Sequence, residues 1–499
     1  METGNPGIGR VDPTDAMDAA EIQNARQGAG AVSYEQELSR SISPLGNVFI
    51  TLSSVTPASS VFIIVPAIIA TAGTGSFLAM VFAAVIGVFM AFCWAELAAA
   101  YPIAAGDYAL VWHAFKGPLK SLGSPLSFAL FVLELVTGVL IVAVITLGIA
   151  TYLSVIHSFN PALAGAVVTL LATAIATLNI RTNAVVTGIF LTLEMLALLA
   201  LIVLSLTHFH ARFDAFFAHW VIGDGHGALI PVSFATILTA TAVAVFAYNG
   251  YNVPVFFSEE TRGPSRGIAV AILWSLVITV AAELIPTTAV LLGAPDIAQV
   301  TASATPMSDF ILATSGKVLN TLVSLGVALA IFNAVIAIIL TNARIMYASG
   351  RDRAYPGILS RWMCAVHPTF RSPWFATILQ GIVAAILCLT VPLNTLINLT
   401  GASLVFSYAL MAIAALGGRA TGATAHSRYK MWLWPVPPIL ALLALGYVAS
   451  QQPRNLLAIT GIELLIGLVW WALVVLPQRG KAWTLKQPIL DIQEHVKQP

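Results

Sequence analysis

Residues 230–261, reading IPVSFATILTATAVAVFAYNGYNVPVFFSEET, constrain the fold of this chain more tightly than any other stretch. The stretch is long enough to cross a bilayer, since about 20 apolar residues rising ~1.5 Å each cover the ~30 Å hydrocarbon core. Its middle nevertheless carries Tyr248, Asn249, Gly250, Tyr251, Asn252 and Pro254, poor material for a continuous helix. Proline has no N–H for the residue four back, and glycine costs roughly 1 kcal/mol against alanine. A break at membrane depth is tolerated only where the freed backbone groups face protein, water or a ligand. An earlier apolar stretch, residues 48–70, is interrupted in the same way by SSVTPASSVF around Pro57. Two broken spans in corresponding places of two halves point to the central site of a transporter.

Composition supplies the environment. Of 499 residues, 58% are hydrophobic and only 9% charged, and the mean hydropathy is +0.89. Soluble domains run near 25% charged, so the profile is that of a polytopic membrane protein with little mass outside the bilayer. A net charge of +1 without any basic run leaves no nucleic-acid footprint. Cys93, Cys364 and Cys388 are scattered and odd in number, which implies neither a disulfide framework nor a zinc site. His208, His210, His219 and His226 cluster at irregular spacing with no cysteine, and no metal site is expected there. No cleavable signal peptide is visible. Residues 1–46 are polar and rich in Gly, Ala and Asp, and are expected to be a disordered cytoplasmic tail.

Apolar windows predict an all-α membrane protein of twelve transmembrane helices. They lie near 48–70, 76–100, 126–153, 161–179, 184–207, 231–257, 268–292, 318–348, 372–391, 395–416, 432–449 and 456–476. With the N-terminus inside, 20 of the 23 Lys and Arg residues fall on the cytoplasmic side, as the positive-inside rule requires. Both termini are then cytoplasmic, in a multi-pass protein of the inner or plasma membrane. Spans one to five and six to ten have opposite orientation, and each set opens with a broken span. That is a five-plus-five inverted repeat. It divides the chain into a transport core at 47–419, two added helices at 420–478 and a cytoplasmic tail at 479–499.

Three stretches then carry a resemblance. AELAAAYPIAAGDYALVWHAF (95–115), FAYNGYNVPVFFSEETRGPSRGIAVAI (246–272) and TNARIMYASGRDRAYP (341–356) are similar, in order and position, to the amino acid–polyamine–organocation superfamily of secondary transporters. The resemblance covers about residues 43–419 and implies the leucine-transporter-type fold with discontinuous helices one and six. Where the family usually has Gly-x-Gly-Ile-Phe in the first helix, this chain has Ala58, Ser59, Ser60, Val61 and Phe62.

An amino acid zwitterion needs donors for its carboxylate and acceptors for its ammonium, and a broken helix offers both. The half-helix starting near Ser59 should present free N–H groups and the positive end of its dipole to the carboxylate. Ala58 belongs to that cradle, with the Ser59 and Ser60 hydroxyls as further donors. Bare carbonyls near Val55, Thr56, Phe246 and Ala247 should take the ammonium. By resemblance, Phe246 occupies the place of an aromatic gate, and Asn249, Gly250 and Asn252 line the side-chain pocket. The alternative is that Pro57 and Pro254 only kink two packed helices.

Each ionisable group inside a span costs at least ~2.5–3.5 kcal/mol at mid-depth and requires an account. Glu194 stands where many relatives place a lysine, and a carboxyl there can load and release a proton. Three readings stay open: proton carrier, sodium ligand, or structural carboxylate bonded to the broken backbone of helix one. Glu134 is a candidate for holding a cationic amine, against a plain helix-packing hydrogen bond. Glu283 and Glu463 are expected to be structural and farther from the site. Glu96 with Tyr101, Glu259 and Glu260 with Arg262, and Arg344 onward are candidates for an inner latch, against ordinary interfacial pairing.

The reading is a secondary active transporter for an amino acid or related amine, coupled to protons or alternatively to sodium, and requiring no cofactor. An exchanger is the alternative, and a nutrient sensor on the same fold a remote one. No Ser/His/Asp set, HExxH motif or filter repeat suggests an enzyme or channel. Monomer and homodimer are both compatible with the sequence.

Overall fold

The structure is a computed structural model that describes residues 33–35, 42–103, 106–153, 159–178, 184–209, 213–262, 264–370, 372–478, 482–483, 485 and 487–489. It forms two compact units, residues 1–38 with 484–499, and residues 39–483. In the smaller unit a strand at Ser33–Glu35 pairs in parallel with one at Gln487–Ile489. The tail expected to be disordered up to residue 46 is therefore structured in part. Residues 1–32 and 490–499 lie outside the described residues.

The larger unit is helical. Its helices are α1 (Pro44–Val55), α2 (Pro57–Ser59), α3 (Val65–Ala72), α4 (Ser76–Ala100), α5 (Asp107–Ala114), α6 (Lys120–Leu153), α7 (Pro161–Thr177), α8 (Ala184–Thr207) and α9 (Phe213–Phe217). They continue as α10 (Phe234–Ala247), α11 (Pro264–Gly293), α12 (Ile297–Ala302), α13 (Pro306–Arg351), α14 (Ile358–Met363), α15 (Trp374–Thr390), α16 (Leu393–Ala420), α17 (Val436–Ser450) and α18 (Arg454–Trp470). Every apolar window named above carries helix. Among the described residues, seven helical runs are long and apolar enough to cross a membrane, and α7, α10, α15 and α17 are shorter apolar helices. Leu170, Leu171, Leu196, Leu443, Leu465 and Ile466 stand exposed on these helices, an apolar surface that lipid covers and water would not.

Local chemistry sets the helix ends. Ser43 Oγ accepts from Gly46 N–H at 3.0 Å and Pro44 takes the first position of α1, so the helix starts three residues inside the expected tail. Asn160 and Ser233 cap α7 and α10 in the same way.

Both anticipated breaks are present. Helix α1 stops at Thr56, whose backbone is left-handed (φ 50°, ψ 73°). Pro57, with no N–H to lose, then opens α2. A π-turn over Ser60–Ile64 leads into α3, and such turns are frequent at functional sites. Helix α10 ends at Ala247, Gly250 follows at φ 113°, and a 3₁₀ segment, Val253–Glu260, resumes with Pro254 in its first turn. Around the breaks, α11 packs on α4, α13 and α16 pack on α6, and α15 packs on α7.

Candidate functional site

The two breaks meet at one cavity of about 150 Å³. Val55, Thr56 and Ser60 line it from the first break, and Phe246, Ala247, Asn249 and Asn252 from the second. Helix α6 adds Glu134, Thr137 and Gly138, α13 adds Thr341 and Asn342, and α16 adds Ser407 and Tyr408. Trp94 of α4 and Asp107 of α5 line it as well.

The breaks are hydrogen-bonded to each other. Ser60 Oγ donates to the Ala247 carbonyl at 2.8 Å, so one of the carbonyls expected to hold an ammonium is paired with one of the hydroxyls expected to hold a carboxylate. Phe246 O accepts from Asn249 N–H at 3.0 Å, and Thr56 O from Ser60 N–H at 3.3 Å. Ala58, Ser59 and Gly250 do not line the cavity. Ala58 instead donates its N–H to the carboxyl of Glu194, and Ser59 Oγ is buried without a hydrogen-bond partner among the described residues. Gly250 holds the two breaks close: a Cβ there would stand 2.9 Å from Val55 Cγ2.

Glu194 is 2% exposed and sits end-on to the restarted helix, outside the cavity lining. Its second oxygen, Oε2, has no partner among the described residues. Glu134 lines the cavity, with both carboxyl oxygens buried and without a hydrogen-bond partner among the described residues. Glu463 accepts from Ser403 Oγ at 2.8 Å, a contact between α18 and α16. Glu283, expected to lie away from the site, does not: its carboxyl lies beside the Ser60 hydroxyl at the junction of the breaks. Neither Glu283 oxygen makes a full hydrogen bond among the described residues. Counting along α11 alone could not have revealed this, because the neighbour comes from a different helix.

Three further groups escaped the sequence reading. Asp107 is 6% exposed, and its Oδ2 accepts from Asn252 Nδ2 at 2.8 Å. Burial pushes this carboxyl up to about 7, against Trp94 and Asn252, whose donors favour the charged form. Trp94 and Tyr408 stack edge-on with centroids 4.8 Å apart, and Tyr408 Oη donates to Asn249 Oδ1 at 3.2 Å. The signal for Asp107 was its place in the 95–115 motif; nothing local distinguished Tyr408.

Of the residues named for an inner latch, Glu96 and Tyr101 bond to residues outside that set. Glu96 takes Arg419 Nε and Nη2 at 3.0 and 2.9 Å, Thr424 Oγ1 at 2.9 Å and Met431 N–H at 2.8 Å. Tyr101 donates elsewhere, to the Ala423 carbonyl at 2.7 Å. The Arg344 guanidinium stands 5.5 Å from the Phe257 ring centroid, within cation–π range. The Glu259 side chain lies outside the described residues.

Comparison with known proteins adds the context. The amino acid permease family matches residues 42–472. The chain is similar to the branched-chain amino acid permease BcaP of Bacillus subtilis (strain 168), 23% identical over 460 residues, 88% of this chain and 94% of that protein. It is similar to the methylthioribose transporter of the same organism, 23% identical over 431 residues, 82% of this chain and 88% of that one. An uncharacterized transporter of Mycobacterium tuberculosis (strain ATCC 25618 / H37Rv) is 30% identical over 390 residues, 76% of this chain and 80% of that protein.

Proposed function

The chain belongs to the amino acid permease family, and from that premise we propose that it is a secondary active transporter carrying an amino acid or related amine by alternating access. The frame is twelve crossings arranged as a five-plus-five inverted repeat, in a cell membrane with both termini cytoplasmic. The observation that carries the reading is the shared cavity at two interrupted helices. There the Ala58 N–H is held by Glu194 and the Ala247 carbonyl by Ser60, so releasing these contacts would free an N–H for a carboxylate and a carbonyl for an ammonium without a fixed charge on either break. Phe246, which lines the cavity, serves as the gate on this reading.

Glu194 supports proton symport for a physical reason. An ionised carboxylate bound to Ala58 N–H occupies the helix end that the substrate carboxylate needs, and its negative charge opposes a second one there. A proton on Glu194 removes that opposition, so proton and substrate bind cooperatively. Sodium at the same carboxylate makes an opposite ionic prediction, because replacing sodium with choline would then abolish uptake.

The test is uptake into proteoliposomes. Wild-type protein should accumulate substrate when the interior is made alkaline, with no substrate preloaded; a strict need for preloading would make it an exchanger. Glu194→Gln should still bind substrate yet lose accumulation driven by the pH gradient. Unchanged accumulation in that variant rules out the proton role.

A further inference from the structure

We propose that Asp107 and Glu134 form a subsite for a second positive charge, so that the substrate is a basic amino acid with a terminal ammonium. The proposal rests on the carrier reading above and names the substrate class of that same cavity.

The argument begins with an imbalance. Asp107 and Glu134 are the charged side chains among the described residues lining the cavity, and no Lys, Arg or His lines it with them. A neutral zwitterion does not need them on the carrier reading, which assigns its carboxylate and ammonium to the backbone of the two breaks. Two acids in the wall are therefore surplus to the substrate head.

The unpaired atoms point the same way. Both carboxyl oxygens of Glu134 and Thr137 Oγ1 are buried without hydrogen-bond partners among the described residues, and Asp107 Oδ1 makes no full hydrogen bond there although the Trp94 indole lies beside its carboxyl. Glu134 and Thr137 stand three residues apart on one face of α6, and all three residues line the cavity. These are acceptor oxygens in want of donors, and an ammonium brings three N–H donors and a charge.

Electrostatics adds a third strand. The carboxyls of Asp107 and Glu134 repel one another when ionised, and a cation between them turns that repulsion into attraction. Asp107 is held ready by the Asn252 amide at 2.8 Å, so little ordering is left for the moment of binding. Ile141, Ile145 and Phe246 also line the cavity, which suits the methylene stem of such a substrate.

The experiment measures binding to the full-length protein in detergent, using lysine, norleucine and putrescine. Norleucine keeps the head and chain of lysine but lacks the terminal ammonium; putrescine keeps two amines but lacks the carboxylate. Wild type should bind lysine tighter than norleucine by about tenfold or more. In Glu134→Gln and in Asp107→Asn that preference should shrink to within about threefold. A wild type that binds norleucine as well as lysine overturns the proposal, as does full preference retained in both variants. Putrescine matching lysine would overturn the amino acid class. If no amino acid or amine binds or is taken up by wild type, the carrier reading itself fails, an outcome distinct from a lost lysine preference.

Discussion

Asp352 shows how far a single buried carboxyl can be displaced at the edge of this fold. It follows the last residue of α13, its side chain is 6% exposed, and Arg351 Nε lies 3.5 Å away. Burial pushes it up to about 6, although Arg351 and a hydrogen bond from Tyr108 both favour the charged form. In an unfolded chain the group ionises near pH 4. Its folded value is raised, so the stability it contributes is complete below about pH 4 and is lost as pH climbs to about 6. Asp352→Asn should remove that slope, and the gap between wild type and variant should change by up to about 3 kcal/mol across this window. Thermal unfolding of both proteins at several pH values measures it; parallel curves would contradict the assignment. Ser60, Glu283 and Asp107 belong to this scale as well. Their residue types were plain in the sequence, but each takes its meaning from a neighbour more than 100 positions away.

Among the elements, the joint between the two breaks is the most demanding. Gly250 combines a left-handed φ of 113° with a 2.9 Å approach of its absent Cβ to Val55, so alanine there is strained twice. Gly250→Ala should cost about 1–3 kcal/mol and weaken substrate binding, because the chain on both sides lines the cavity. Gly446, inside α17 with nothing within 4 Å of a built Cβ, is the contrasting case. Gly446→Ala should be neutral or stabilising by about 0.4–1 kcal/mol. Equal effects at the two positions, read by thermal unfolding, would refute the packing account. The segment after α18 supplies a second element-scale expectation. Trp483 is 2% exposed. It donates its backbone N–H to Asp352 O at 2.8 Å and Nε1–H to Ser127 Oγ at 3.2 Å. Its ring lies 4.8 Å from Phe128 and 5.1 Å from Tyr108. Trp483→Ala should therefore destabilise the protein by about 3–5 kcal/mol, whereas a change under about 1 kcal/mol would show that the ring is not packed in solution.

For the whole molecule, the proposed twelve crossings require both ends of the chain on one side of the membrane. Reporters that work only in the cytoplasm, fused separately to the N- and C-terminus, should both be active. Activity at one end alone would mean an odd number of crossings and would dissolve the pairing of spans one to five with six to ten. Hydropathy made the apolar helices legible because a bilayer asks a crossing for about 20 apolar residues, whichever helices surround it. The breaks were legible for an equally local reason: Pro57, Gly250 and Pro254 act on their own backbone. Partners were not. Glu194 reaching Ala58, Glu283 beside Ser60, Asp107 held by Asn252 and Glu96 enclosed by Arg419 and Met431 each join segments that no periodicity relates. The sequence by itself determined where helices run and where they stop, since those outcomes depend on residues within a few positions of one another. Only the tertiary structure decided which buried polar groups satisfy each other and which are left facing the cavity, because that depends on how distant helices pack.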